Sequence, residues 1–452
     1  MASETAQGLK DLVRWIEAGE IHTVVLVFPD MQGRWMGKRA TARHFAEEVS
    51  RHGTHACAYL LTVDMEMDPV PGYELTSWAR GYQDFKMVPD FSTVRRLAWS
   101  PGSALVVCDL FDDDEPIEAA PRHVLRNQIE RAAKAGFSVK AASELEFYLF
   151  RETYESAQKK SWHGLETFGT YIEDYHILQG AKEEFVNAEI RNLMEVSGIP
   201  VETSKGEWGP GQHEINLGYA GALEMADRHA TYKHGAKEIA ISKGVSMTFM
   251  AKFDSRLAGS SCHIHASLWD KAGKKPLFWE GGKPSRLFRH FLGGMMALAR
   301  DLSFFFAPTV NSYKRYQAST FAPTRIAWGK DNRTCGFRVV GEGDSCRIEN
   351  RIPGADVNPY LALAATIGAG LYGIKNKIEP PAELKGNAYE AQVQPVPKTL
   401  NEAIACLEGS KAAREILGEK VFKHYLHTAK AEQAAFDRAV TCWERERNFE
   451  RV

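Results

Sequence analysis

The stretch Ser143-Glu144-Leu145-Glu146-Phe147-Tyr148-Leu149-Phe150 decides how the chain is to be read. Leu145, Phe147 and Leu149 recur at every second position, the period of a β-strand, so Glu144 and Glu146 share the opposite face. One such strand is explained by a solvated face. Cys262-His263-Ile264-His265-Ala266-Ser267-Leu268 repeats the arrangement with His263, His265 and Ser267 on one side. Arg347-Ile348-Glu349-Asn350-Arg351-Ile352 repeats it again, with Arg347, Glu349 and Arg351 together. A fourth segment, Glu207-Trp208-Gly209-Pro210-Gly211-Gln212-His213-Glu214, sets a carboxylate on each side of a Gly-Pro-Gly turn that can bring both to one point.

These residue types complement one another. Carboxylates and an imidazole bind divalent cations, and arginines bind phosphate and carboxylate groups. The candidate metal ligands are Glu144, Glu146, Glu207, Glu214, Glu349 and His263. Five carboxylates in one cavity repel strongly unless cations accompany them, and two divalent ions would cancel most of that charge. Oxygen-rich ligation with one imidazole and no thiolate suits Mg²⁺ or Mn²⁺ and not structural zinc. Two hard cations beside arginines point to phosphoryl transfer, in which the protein positions groups and neutralises spreading charge. The sequence has neither a Walker lysine loop nor a dinucleotide glycine fingerprint, so a nucleotide must bind in another way.

Around these segments the chain reads as an α+β protein. A short helix is expected over Leu9–Ala18, then a β-branched strand over Thr23–Phe28 that runs into the turn Pro29-Asp30-Met31-Gln32-Gly33. Short strands continue to about Cys108, and the acidic loop Asp112–Pro116 is the boundary candidate. Pro121–Ala135 predicts a helix, opened by proline and closed by Gly136. Beyond it no regular strand–helix alternation develops, which favours α+β over a doubly wound sheet. The apolar run Leu361–Ile374 is too short to span a bilayer and predicts a buried helix, and the residues from Leu400 onward read as helical.

With 452 residues the chain exceeds one typical domain and can bury a sizeable core. Its 56 Lys and Arg balance 58 Asp and Glu, which argues against a nucleic-acid binder. Ordinary fractions of hydrophobic (44%) and charged (25%) residues argue against a disordered chain. Seven scattered cysteines without a Cys-x-x-Cys pair read as reduced thiols, and Met1–Lys10 lacks the apolar core of a signal peptide. The expectation is a cytoplasmic protein with no nucleic-acid and no membrane partner.

Taken with Gly259–His265, Asn311–Arg315, Phe321-Ala322-Pro323, Asp331–Thr334 and Arg347–Tyr360, the segments resemble the glutamine synthetase superfamily over nearly the whole chain. The pattern is nearest to its γ-glutamyl-amine ligases, such as γ-glutamylanilide, γ-glutamylalkylamide and γ-glutamylpolyamine synthetases. The resemblance implies an N-terminal β-grasp domain over 1–115 and a catalytic domain over 116–452. It also implies a homo-oligomer of two stacked six-membered rings with active sites between subunits. By the same resemblance Glu146, Glu207 and Glu214 match ligands of the metal on the amino-acid side, and Glu144, His263 and Glu349 those of the metal on the nucleotide phosphates. Arg315 and Arg351 correspond to arginines that clamp glutamate, near Gly259, and Arg333 and Arg338 to arginines facing the transferred phosphate. Tyr219, His265, Ser267 and Arg347 fall where the family meets ATP, the co-substrate. Asp30 matches an aspartate that reaches into a neighbouring subunit's site and helps deprotonate the incoming amine.

Two positions depart from the synthetase pattern. Phe321 stands where true glutamine synthetases carry a glutamate that helps bind ammonium, and Ala258 stands where many have an asparagine contacting glutamate. A phenyl edge suits a carbon-bearing amine better than an ammonium ion. The expected activity is therefore ATP-dependent ligation of the glutamate γ-carboxylate to an organic amine, aromatic or alkyl, through a γ-glutamyl phosphate. Trp35 and Met36 are candidates to extend the amine pocket from a partner loop. The alternatives are a true glutamine synthetase using ammonia and an inactive ring protein.

Overall fold

The computed structural model describes residues 2–452 and assigns their strands to two large sheets and one small hairpin. The first sheet holds β1 (Thr23–Pro29), β2 (Trp35–Thr41), β3 (Thr54–Cys57), β4 (Asp84–Pro89), β5 (Arg95–Arg96), β6 (Ser103–Asp112) and β7 (Glu115–Pro116). Its main path runs β2-β1-β6-β4-β3, with β1 and β6 parallel and the other neighbours antiparallel. Val24, Leu26 and Phe28 join Phe85, Met87, Val106 and Cys108 in a core that takes in Leu12 of the opening helix. Val27, Leu105 and Val107 form a smaller core of their own.

Two expectations change here. The opening helix spans Ala2–Glu17 and so begins well before Leu9. The acidic stretch Asp112–Pro116 is a hairpin tip, not an open loop: Asp112 pairs with Glu115, and Asp113 turns the chain with φ +52°. Aspartate tolerates that left-handed conformation, so a run of acids can close a two-residue turn.

The second sheet holds β8 (Phe137–Phe150), β9 (Val201–Gly206), β10 (Gln212–Leu217), β11 (Ala220–Gly221), β12 (Ser246–Thr248) and β13 (Cys262–Asp270). The hairpin β14 (Trp279–Glu280) and β15 (Lys283–Pro284) stands apart from it. β16 (Trp328–Lys330), β17 (Phe337–Val340) and β18 (Arg347–Asn350) complete the order β16-β17-β18-β13-β8-β10-β9. Leu145, Phe147 and Leu149 of β8 enter the main core with Ile215, Leu217 and Ile264. The expected buried helix is Pro359–Asn376, capped by Asn358, whose side chain accepts from the amides of Tyr360 and Leu361. It packs on the helices Pro121–Lys134 and Arg286–Ala297. Among the described residues no helix is long and apolar enough to cross a membrane, and all seven cysteines are free.

Arg122 ties the two sheets together. Its guanidinium donates to Asp90 Oδ2 at 2.8 Å and Asp109 Oδ1 at 2.6 Å on the first sheet's side. It also forks onto Asp227 of the helix Ala222–Ser242, at 3.1 and 2.9 Å.

Candidate active site

Strand register assembles the polar face. Lys205 of β9 stands opposite Glu214 of β10, and Glu214 opposite Glu146 of β8. Two residues along, Asn216 faces Glu144, which faces His263 of β13. Farther along, His265 of β13 faces Glu349 of β18, and Glu349 faces Arg338 of β17. A one-residue slip of any strand would turn its polar residues into the core, so the buried reverse face fixes the rows.

Side-chain contacts follow the rows. His263 Nδ1 lies 3.2 Å from Glu144 Oε2 and 3.4 Å from Glu349 Oε1, and His265 Nε2 lies 2.9 Å from Glu144 Oε1. Glu146 accepts from the Ser261 amide at 2.7 Å and from Gln212 Nε2 at 3.3 Å. Ligand atoms of Glu144, His263 and Glu349 all lie within 4.8 Å of one another, as do those of Glu146, Glu214 and His263. Glu207 is outside both groups; its carboxylate pairs with Lys205, whose ammonium is also 3.9 Å from Glu214.

The proton affinities divide the face in two. Burial, reinforced by the Glu207 charge, pushes the Glu146 carboxyl up to about 7 and raises that of Glu214 well above the usual carboxylate range. Burial acts the same way on Glu349, but Arg351, His263 and His265 outweigh it and hold its carboxyl down to about 2. Glu144 is likewise lowered, because its contacts with His263 and His265 outweigh its burial. Burial and the Arg351 charge lower His263 to about 4, so its imidazole is neutral at pH 7 and can offer a lone pair to a cation. Carboxyls that hold protons for want of positive charge, beside a neutral imidazole, fit two hard divalent cations.

Arginines occupy the neighbouring wall. Arg315 Nη2 donates to the carbonyls of Arg351 and Pro353 at 3.3 and 3.1 Å, and Arg351 Nη1 donates to Glu349 Oε1 at 2.5 Å. Both Nε atoms are buried without a partner, a costly state that an anionic substrate would relieve. Gly259 makes room for this wall: a Cβ there would meet Arg315 Cγ at 2.4 Å and the Ala251 carbonyl at 2.7 Å.

Glu144, Glu146, Glu207, Glu214, His263, Arg315, Arg351, Arg333, Arg338, Gly259 and Phe321 line one cavity of about 990 Å³. Glu349 lies fully buried behind its wall. Tyr219, His265, Ser267 and Arg347 lie beyond its lining: Arg347 Nε donates to His265 Nδ1 at 3.1 Å, Ser267 Oγ accepts from Trp269, and Tyr219 is exposed.

Asp30 and Trp35 are expected to act across a subunit boundary, and within one chain both have partners of their own. Asp30 directly follows β1. It is fully buried, with its oxygens taken by the amides of Gln32 and Arg34 and by Arg34 Nε at 2.7 Å. Trp35 opens β2. It packs within this chain against Tyr360, centroids 6.4 Å apart, and Met36 packs on the first sheet's core. In both cases a turn that looks open in sequence is closed by distant residues, notably Asn358, which donates to the Asp30 and Met31 carbonyls at 3.0 Å each.

Sequence reasoning missed Ser261 and Gln212, which hold Glu146, and Trp208, which stands edge-on to Phe321. It also missed a buried group under the turn: His213 Nε2 lies 2.9 Å from Glu183 and 3.4 Å from Glu173, and Glu173 Oε1 accepts from the Gly211 amide at 2.7 Å. The signal was available, since His213 falls on the same face of β10 as Ile215 and Leu217 and must find partners there.

Comparison with known proteins agrees with this geometry. Residues 118–448 match the model of the glutamine synthetase catalytic domain. The chain is 50% identical over 446 residues to a gamma-glutamylethanolamide synthetase of Streptomyces coelicolor, covering 98% of this chain and 96% of that protein. It is 37% identical over 452 residues to a glutamate–isopropylamine ligase of a Pseudomonas species, covering 98% of each. The solved structure of a GmaS–ADP complex superposes with a TM-score of 0.86 at 29% identity, covering 97% of this chain and 99% of that one. The chain belongs to the glutamine synthetase family.

Proposed function

We propose that this protein is an ATP-dependent ligase that joins the γ-carboxylate of glutamate to a small organic amine. The observation that carries the reading is the pairing of a cation-ready carboxylate face with an aromatic rim at Phe321, where the synthetase pattern has an ammonium-binding glutamate. The names of the two relatives, an ethanolamide synthetase and an isopropylamine ligase, support an amine acceptor in place of ammonia.

Arg315 and Arg351 hold the substrate glutamate and orient its γ-carboxylate toward ATP. Glu144, His263 and Glu349 would hold one Mg²⁺ or Mn²⁺, and Glu146 and Glu214, with Glu207 nearby, would hold a second. These cations, when bound, cancel the repulsion between ATP and the carboxylate. A γ-carboxylate oxygen attacks the γ-phosphorus and ADP leaves, with Arg333 and Arg338 facing the transferred phosphoryl group. The amine lone pair then attacks the acyl carbon of the γ-glutamyl phosphate, inorganic phosphate leaves, and the nitrogen gives up a proton. Tyr219, His265, Ser267 and Arg347 are assigned to the nucleotide side; the ADP complex of the solved relative supports nucleotide binding in this fold. Asp30, buried beside Arg34 within one chain, keeps the assignment of helping to deprotonate the incoming amine where subunits meet.

Residues 1–115 are assigned as a β-grasp domain, supported by the parallel β1–β6 pair flanked by antiparallel strands. A double ring of subunits is supported by apolar side chains left open on one chain, among them Ile177 (86% exposed) and Phe449 (91%). The seven free thiols support a cytoplasmic setting.

The test is metal-dependent ADP release with glutamate and a panel of amines. A primary organic amine should give a higher kcat/KM than ammonia. Ammonia as clearly the best acceptor would return the protein to the true synthetases, and no metal-dependent turnover with any acceptor would support an inactive ring.

A further inference from the structure

We infer that Trp208 is the second wall of the amine subsite and that the acceptor is a primary amine whose short carbon body lies against both Trp208 and Phe321. The inference rests on the ligase reading above and deepens it.

Both rings line the cavity, and both are about half exposed, Trp208 at 47% and Phe321 at 49%. Their centroids stand 5.8 Å apart with planes at 62°, an edge-to-face pair. Charged groups line the same cavity: Glu207 immediately precedes Trp208, and Arg315 and Arg351 are among its lining residues. Apolar surface left wet among charges gains from contact with carbon and gains nothing from ammonia. The electron-rich ring faces also suit an aminium approaching before it loses its proton.

The two walls are held differently. Trp208 sits in a turn locked on both sides, since Glu207 donates to the Gln212 carbonyl at 2.7 Å and Gly209 to Gln212 Oε1 at 2.9 Å. A Cβ at Gly209 would meet Tyr148 Oη at 2.0 Å, so a larger residue there forces the buried tyrosine to move. The indole therefore has a fixed base one residue from a carboxylate of the metal face. Phe321 stands at φ +58°, two residues after Ser319 at φ +61°, and the loop is tied down just behind it where Tyr389 Oη donates to the Ala322 carbonyl at 3.1 Å. A fixed wall and a loop-borne wall make a slot whose width limits the size of the carbon body.

The experiment measures kcat/KM with ammonia, ethanolamine and linear amines of increasing length for the wild type, W208A and W208F. In W208A the preference for carbon-bearing amines over ammonia should fall about ten-fold or more, chiefly through the amine KM, and the dependence on chain length should flatten. W208F should keep most of the preference. Equal loss with every acceptor, ammonia included, would make Trp208 a support for the Glu207 turn and overturn the inference. An unchanged amine profile in W208A would overturn it as well, while leaving the ligase reading in place. A wild type that uses only ammonia would overturn the ligase reading itself and this inference with it. Thermal melts and the KM for ATP identify a variant that has lost its fold.

Discussion

Glu146 of β8 and Glu214 of β10 stand directly opposite each other on adjacent antiparallel strands, both buried, with no cation of the protein between them except Lys205 at the edge of the pair. Like charges in facing positions destabilise a sheet, so the pair is tolerable only with protons or metal ions bound.

The sign of the pH effect follows. The folded Glu146 carboxyl titrates at about 7, above its ordinary value of 4.5, so the folded state holds a proton that the unfolded state has released. Its contribution to stability is present at low pH and is lost as pH rises through the folded value. Metal-free protein should melt at a lower temperature at about pH 8 than at about pH 6, and added Mg²⁺ or Mn²⁺ should restore the loss at the higher pH. Melting curves with and without chelator at both values decide it. Identical melts throughout would mean that the carboxyls do not await a cation.

Glu349 holds Arg338, Arg351 and His263 together from its buried position. Glu349→Ala should lower metal-dependent ADP release by about a hundred- to thousand-fold, the scale seen when a preorganised charge contact is removed. Glu349→Gln keeps the shape and should also be inactive while melting closer to the wild type. Near-normal turnover in either variant would remove Glu349 from the cation site.

Gly259→Ala should damage glutamate binding in particular. The new methyl collides with Arg315 Cγ and the Ala251 carbonyl, so the arginine must shift. A displacement of about 1 Å in a positioned group can cost about a hundred-fold, and the KM for glutamate should rise at least ten-fold with a smaller change for ATP. Equal effects on both substrates would point to a general disturbance of the loop.

Phe321→Glu should shift the preference toward ammonia by about ten-fold or more, because it returns a carboxylate to the rim where the aromatic edge stands. Competition between ammonia and an organic amine, read as the ratio of products, measures the shift directly. An unchanged ratio would detach Phe321 from acceptor choice.

Arg122→Ala should destabilise the fold by about 3–5 kcal/mol, since Asp227 loses its charged partner and keeps only the Tyr360 hydroxyl, while Asp90 and Asp109 are left to Arg126. Denaturant unfolding measures the loss. A change well under 1 kcal/mol would show that the Arg122 cluster contributes little to the coupling of the two sheets, leaving it to contacts such as Asn358 on the Asp30 and Met31 carbonyls.

Much of the polar face was legible because period-two alternation is a local property. Glu144 with Glu146, His263 with His265, and Arg347 with Glu349 share faces by spacing alone. Which of them meet was not legible, because register is set by strands more than a hundred residues apart: His263 reaches Glu144 only through the β8–β13 pairing. The contacts that Asp30 and Trp35 make within the chain were not legible for the same reason. The turn from Pro29 to Gly33 has the composition of an exposed loop, and nothing nearby announces that Asn358 will cover it. The acidic run at Asp112–Glu115 was misjudged locally, because aspartates that mark open loops also close tight turns. Trp208 lay within a quoted segment, but only the fold shows that it meets Phe321 across more than a hundred residues of sequence.

Glu144, Glu146, Glu214, His263 and Glu349 are carried on strands, those of β8 and β10 locked from behind by Leu145, Phe147 and Ile215, while Phe321 and Trp208 are carried on connections. A strand residue cannot be altered in direction without unsettling its neighbours, whereas a rim residue can be exchanged singly. Energy transfer and the choice of nucleophile are thus separately heritable. On the proposed reading, a lineage acquires a new nitrogen source by revising two aromatic positions, and the carboxylate sheet passes through the change intact.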